Sequence, residues 1–256
     1  MRIYRAYFYK LIRDPLFYIG IIGTALLCAT KWLPGKYGGR GADVRMEISL
    51  ILDIATVRKM IAILGALPFA ANFADEWTSR VTIGCISRCG VNRYAVSNVV
   101  MCFISSLLTV FLGMMLYAAA LSTFMPAFHE DNNPMILLEQ TLLREGGMPW
   151  VYIMYRILPF AASCAMWSVM GMMLTAFFPN KFVGICAPFV ASYAVERVTM
   201  QFPSPLNLWH VSLIRLGWEN IWLCLLYCVG LFAVIAAVCG VVFVLTVKRR
   251  VQNEVA

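Results

Sequence analysis

The sequence predicts an all-α membrane protein: six transmembrane helices behind an N-terminal amphipathic interfacial helix. Three observations predict it. Of the 256 residues, 61% are hydrophobic and only 13% charged, whereas a soluble domain is roughly 45–50% apolar and about 25% charged. Mean hydropathy is +0.77, which excludes a soluble globular protein, a disordered chain and a secreted disulfide scaffold. Apolar runs also recur along the whole chain with short polar breaks. A spanning helix needs about 20 apolar residues, so six spans use roughly 120 positions. No length remains for a nucleotide-hydrolysing domain.

Residues 1–14 form the interfacial helix. At about 100° per residue, Ile3, Tyr4, Tyr7, Phe8, Leu11 and Ile12 share one arc, and Arg2, Arg5, Lys10 and Arg13 the opposite one. Such a helix lies in the bilayer surface, with its basic face toward anionic headgroups. Asp14-Pro15 ends it, because proline cannot continue the hydrogen-bond ladder. The first span, 16–33, follows a basic stretch as a signal peptide would. No small-residue cleavage site comes after it, and Lys31-Trp32 reads as an interfacial anchor, so the span is retained. The next spans are 57–74, 95–125, 151–178, 182–200 and 221–247, with a cytosolic segment at 75–94. Pro134 to Glu145 predicts a helix along the outer surface. Residues 202–220, with Pro203, Pro205, Trp209 and Trp218, predict an outer re-entrant or interfacial segment.

Lys and Arg set the orientation. With both termini inside, the cytosolic set is Arg2, Arg5, Lys10, Arg13, Arg80, Arg88, Arg93, Lys181, Lys248, Arg249 and Arg250. The outer set is Lys31, Lys36, Arg40, Arg45, Arg58, Lys59, Arg144, Arg156, Arg197 and Arg215, nearly as large. Both chain ends are basic, while the loop around His129, Glu130, Asp131, Glu139 and Glu145 is acidic, so the termini are assigned to the cytosol. The net charge of +8 reports these basic flanks rather than a nucleic-acid partner.

Enzyme motifs are missing. The two His, His129 and His210, have no partner motif, and no HExxH, GxSxG or paired-carboxylate pattern occurs. No GxxxxGK[ST] phosphate loop is present either. The nine Cys form no CxxC pair and read as small helix-packing residues, so no metal site is expected. No intramembrane charge pair points to an ion.

The segment Asp75-Glu76-Trp77-Thr78-Ser79-Arg80-Val81-Thr82-Ile83-Gly84-Cys85-Ile86-Ser87-Arg88-Cys89-Gly90-Val91-Asn92-Arg93-Tyr94 is the most informative. Carboxylates close a span, a short amphipathic stretch follows, and Arg-Tyr after a glycine break opens the next helix. Physically this is either a solvated loop with snorkelling basic residues or a compact cytosolic knob. It resembles the first cytosolic loop of ABC-2-type transporter permeases. The Phe178 to Phe182 turn, the amphipathic N-terminal helix and the helical outer segment before the sixth span are similar to the same family. The family often has a small residue, commonly glycine, where Arg80 stands.

The resemblance implies a type V exporter-like architecture and a permease that pairs with a second copy or a paralogue in a bacterial-type cytoplasmic membrane. Separate ATPase subunits, carrying ATP and Mg, would dock on Glu76 to Arg88, and this chain would bind no cofactor itself. By the same resemblance Glu76 and Arg80 pin the coupling helix, Val81, Ile83 and Ile86 enter an ATPase cleft, and Arg88 closes the segment. Alanine at Glu76 or Arg80 should then lower transport and leave the protein folded. The resemblance also puts the second and fifth spans along the path, which makes Phe69, Asn72, Phe73, Phe189, Ser192 and Tyr193 pathway candidates; ordinary helix packing explains any one of them equally well.

An internal match aligns Pro68 to Glu76 with Pro188 to Glu196, as an inverted three-plus-three repeat would. Two other functional classes fit the composition. One is a stand-alone binding or immunity module for a membrane-active peptide, and the other is a membrane-embedded lipid enzyme. The exported substrate in the first reading is amphipathic: a peptide, lipid or drug.

Overall fold

The computed structural model describes residues 2–30, 43–128, 147–218 and 220–255. Among them the regular elements are all helical: α1 (Arg2–Arg13), α2 (Pro15–Ala29), α3 (Val44–Asp53), α4 (Ala55–Ala66), α5 (Asn72–Thr78), α6 (Val81–Cys89), α7 (Val91–Leu121), α8 (Pro149–Phe177), α9 (Lys181–Thr199), a 3₁₀ turn (Ser204–Leu206), α10 (Leu208–Ser212) and α11 (Ile221–Val255). Helices α7, α8, α9 and α11 are long and apolar enough to cross a membrane; α1 and α2 together make a fifth if their bent pair counts as one span. The expected Lys31-Trp32 anchor, the acidic loop around His129 to Glu145 and the outer helix at Pro134 to Glu145 lie outside the described residues.

Helix α8 is the hub. It packs against α7, α9, α11 and α4, and 78% of its most apolar window is buried against 28% for α9. The run Ala161, Ala162, Ser163, Cys164, Ala165 explains this, since small side chains let neighbouring backbones approach closely. Ser168 of α8 donates to Ser106 Oγ of α7 at 2.8 Å, a polar tie between the two most central helices.

Helix α1 ends at Asp14, whose side chain accepts from Leu16 N at 2.9 Å and caps α2, with Pro15 at the first helical position. The helix segments on either side meet at 59°. The apolar arc of α1 is not all turned to lipid. Tyr7 and Leu11 are buried against the bundle, and Phe8 and Ile12 face outward.

The expected second span, 57–74, is not one helix. Proline 68 supplies no N–H to the Leu64 carbonyl, so α4 stops at Ala66 and a turn leads into α5. Twelve residues of α4 reach about 18 Å, short of a roughly 30 Å hydrocarbon core. Two glycines clasp the break. A Cβ on Gly20 of α2 would come within 3.0 Å of the Leu64 oxygen, and one on Gly184 of α9 within 2.9 Å of the Ala70 oxygen. Proline 188, its partner in the internal match, interrupts nothing: α9 runs through it.

Helix α3 is a further departure, since residues 44–53 read as loop. Asp43 caps it by accepting from Met46 N at 2.7 Å. Its apolar residues Val44, Ile48, Ile51 and Leu52 are buried. Residues 202–220 form no span. The 3₁₀ turn and α10 fold back onto the bundle, α10 against α8 and α9, with Asn207 capping α10 through Trp209 N and His210 N.

Candidate functional site

The molecule carries two polar centres, one at each end of α9. At the first, Glu76 of α5 is buried and accepts from three directions. Tyr94 OH of α7 donates to Oε2 at 2.7 Å and Tyr7 OH of α1 at 3.4 Å. Lys10 Nζ donates to Oε1 at 3.0 Å and Asn72 Nδ2 at 3.1 Å. Asn98 Oδ1 accepts from Asn72 Nδ2 at 2.9 Å, and its amide donates to Tyr7 OH at 3.2 Å. One carboxylate thus ties α1, α5 and α7 together. Every partner is a donor, and Lys10 supplies the countercharge that a buried carboxylate needs.

Helix α6 hangs from this knot. It packs on α5 and α7, and Thr82 is its one buried residue, with Oγ1 3.4 Å from Tyr94 OH. Val81 and Ile83 are 51% and 59% exposed, and Arg88 is exposed beside them. Ile86 turns inward and packs against the core with Cys85 and Cys89. Burial, with the Glu76 carboxylate as second cause, raises the Cys85 thiol above its ordinary pKa. Open depressions flank the helix, one of about 580 Å³ along Trp77, Arg80 and Ile83, the other of about 500 Å³ along Lys10, Asp75, Val81 and Lys181.

The predicted coupling residues therefore separate. Glu76 is a buried structural anchor, so alanine there is not the fold-neutral change that the sequence suggested. Arg80 is exposed and forms no ion pair among the described residues. Its backbone is left-handed, φ 57 and ψ 11, a conformation glycine adopts without strain. Val81 and Ile83 face out, and Ile86 does not.

Other elements reach the same end. Lys181 Nζ is 2.6 Å from Asp75 Oδ1, Arg250 lies 5.6 Å from the Trp77 ring centroid, and its Nη2 donates to Phe177 O at 2.8 Å. Helix α1, through Tyr7 and Lys10, the α8–α9 turn and the end of α11 thus gather around α5 and α6, giving a basic end to the molecule.

At the opposite end a second carboxylate is buried. Glu196, in the last turn of α9, takes a hydrogen bond from Lys59 Nζ of α4, and Arg58 Nη2 stands 4.0 Å from it. Arg58 stacks on Trp209 at 4.0 Å and on Phe160 at 5.5 Å, and donates to Ser212 Oγ. Its Nε and Nη1 are buried with no hydrogen-bond partner among the described residues. Nearby, Arg156 Nη1 donates to Leu213 O at 2.6 Å, and Arg215 Nη2 grips both oxygens of Asp53 at 2.8 and 2.9 Å. The sequence places Arg58 and Lys59 among the outer-side charges and shows no charge pair within the membrane. The structure leaves them at the end opposite α6 and corrects the second point, since both are buried beside Glu196. Antiparallel packing of α4 on α9 brings together residues 137 apart. The available signal was that Arg58, Lys59 and Glu196 all fall inside predicted spans.

The six pathway candidates fall in different surroundings. Phe69 packs edge-on to Tyr7 at 5.6 Å, and Phe73 edge-on to Phe243 at 5.1 Å; both are buried. Asn72 belongs to the Glu76 knot. Phe189 and Tyr193 share an outward stripe of α9, 37% and 62% exposed. Ser192, on the adjacent stripe, borders a cavity of about 10 Å³ with Arg58, Lys59 and Glu196. That is room for about one water. Among the described residues no group of His, Cys, Asp and Glu is disposed to hold a metal. Comparison with protein-family models, with curated proteins and with solved structures finds no match.

Proposed function

We propose that the chain is the membrane subunit of an ABC-2-type exporter with six crossings, α2, the broken α4–α5 pair, α7, α8, α9 and α11. It works with a second copy or a paralogue in the cell membrane, with both termini in the cytosol. It moves an amphipathic peptide, lipid or drug and has no ATPase site of its own; separate ATPase subunits hold ATP and Mg. One observation carries the reading. Helix α6 presents Val81 and Ile83 outward at the basic end, while Glu76 behind it is wired to α1 and α7. Exposed apolar side chains on a short polar knob suit a protein partner. The wiring behind them suits force transfer, because a movement of α6 is passed to three helices at once. Coupling in the strict sense follows when ATPase closure favours one arrangement of these helices over another.

The test is affinity capture of the tagged chain from its native membrane in mild detergent, alongside an Ile83→Asp variant. A soluble ATPase with a phosphate loop should accompany the parent chain, and its recovery should fall about tenfold with the variant, since a buried charge costs at least 1.4 kcal/mol. Recovery of the chain alone, with capture validated on a known complex, refutes the proposal. It would leave the stand-alone peptide-binding reading in front.

A further inference from the structure

A second cavity lies beside the Glu196 centre. Helices α9 and α11 both pack on α8 but barely touch each other. Between them runs an apolar cleft of about 290 Å³, bordered by Trp167, Met170, Val195, Phe202, Leu231 and Ile235. The volume is nearly twice the roughly 150 Å³ that holds a benzene ring. On α11 the lining extends from Leu231 to Cys239, about 12 Å of helix, the shape of a slot for an extended chain. The outer faces beside it are apolar as well: Val190 and Tyr193 on α9, Val234 and Val238 on α11 are all exposed. The slot therefore opens where lipid tails would lie.

Trp167 joins the cleft to the charges. It borders both the slot and the small cavity of Arg58, Lys59 and Glu196. Val195 and Thr199 line the slot on the helical turn whose other face carries Glu196. Two cations meet one carboxylate there, and Nε and Nη1 of Arg58, which is 3% exposed, have no hydrogen-bond partner among the described residues. The positive charge that Glu196 leaves over is weakly screened inside a membrane protein and attracts an anion over several ångströms. The small cavity has no room for a phosphate, so the attraction acts from behind the Trp167 wall.

From this juxtaposition we propose that the α9–α11 cleft binds one acyl chain of an anionic phospholipid, its headgroup held at the Thr199 end of the slot by the excess charge of Arg58 and Lys59. The site is at the opposite end from α6 and needs no ATPase, so this proposal and the exporter reading fail separately.

Native mass spectrometry of the purified full chain, titrated with equal amounts of palmitoyl-oleoyl phosphatidylglycerol and phosphatidylcholine, tests it. The chain should retain phosphatidylglycerol about fivefold better. Leu231→Trp, which fills the slot, should abolish the tightly held lipid. Arg58→Gln should bring the two lipids level, and Glu196→Gln, which removes the carboxylate beside them, should widen the preference. Arg58→Lys keeps the charge and should keep the preference, which separates electrostatics from a loss of fold; elution as a single species checks the fold of each variant. If Arg58→Gln does not fold, Leu231→Trp and Glu196→Gln still decide. Equal retention of the two lipids by the parent chain overturns the proposal. So does a preference that survives Leu231→Trp and disappears when Lys248, Arg249 and Arg250 become Gln, because the lipid would then sit at the basic end.

Discussion

At the residue scale, Glu76 and Arg80 have opposite roles although four positions separate them. Glu76 accepts four hydrogen bonds and one countercharge. Its removal leaves Lys10, Tyr7 and Tyr94 facing a void, and charge-linked hydrogen bonds are worth about 1.5–3 kcal/mol each. Glu76→Ala should therefore lower stability by about 2–4 kcal/mol, read as a drop in the thermal midpoint of the detergent-solubilised chain. Glu76→Gln keeps the shape and should lose less. Equal losses would mean that the charge, not the packing of the knot, is what matters. Arg80 offers the reverse. An L-residue in the left-handed region costs about 1–2 kcal/mol, so Arg80→Gly should leave the midpoint unchanged or raise it. A midpoint several degrees lower would show that the Arg80 side chain holds the turn. The sequence marked both residues through their motif. It left Tyr7, Lys10 and Asn98 unmarked, because Tyr7 and Lys10 meet Glu76 across 69 and 66 positions and Asn98 joins the knot only through Tyr7 and Asn72, which leaves no local pattern.

At the element scale, most of the helices were legible because hydrophobic length writes them directly. The expected spans 95–125, 151–178 and 182–200 meet helices Val91–Leu121, Pro149–Phe177 and Lys181–Thr199. Helix α3 was not legible. Arg45, Glu47 and Asp53 interrupt its apolar positions, so ten residues that bury one face read as a polar loop. A proline at position 68 by itself calls for a kink and no more. What turns a kink into a break is tertiary: Gly20 and Gly184 leave room for the Leu64 and Ala70 carbonyls, and no single-helix pattern records that room. A side chain at residue 184 must displace the Ala70 carbonyl or part α9 from α5. Gly184→Val should cost about 1–3 kcal/mol, measured as a lower thermal midpoint. The matched Gly230→Val, where a Cβ meets open space, should cost less than 1 kcal/mol. If the two variants behave alike, the clasp around the break contributes nothing.

At the scale of the whole molecule, two ion pairs bracket α9. Lys181 meets Asp75 at the basic end, and Glu196 meets Lys59 at the other. The fifteen helical steps from Lys181 to Glu196 rise about 22 Å, so the interrupted stretch 59–75 runs beside α9 over the same distance. This is why the α4–α5 pair counts as one crossing in the proposed six, despite its break. It also ends the internal match with two buried carboxylates, Glu76 and Glu196, each paired with a lysine and set at opposite ends. If the pair crosses, residues at the two ends face different compartments. Single cysteines at Ile83 and Arg249 should be shielded from a membrane-impermeant maleimide in intact cells and react once the membrane is permeabilised. A cysteine at Arg197, exposed beside the Glu196 centre, should react in intact cells. Six of the native cysteines are buried. The raised pKa of Cys85 keeps its reactive thiolate scarce at neutral pH, but Cys89 is only partly buried and Cys186 is exposed, so the labelling is read in a chain whose Cys85, Cys89 and Cys186 are replaced by serine. Labelling of Ile83→Cys and Arg197→Cys from the same face would mean that α4–α5 and α9 turn back within the bilayer. The basic end and the Glu196 centre would then belong to one side, and the six-crossing architecture would fall with them.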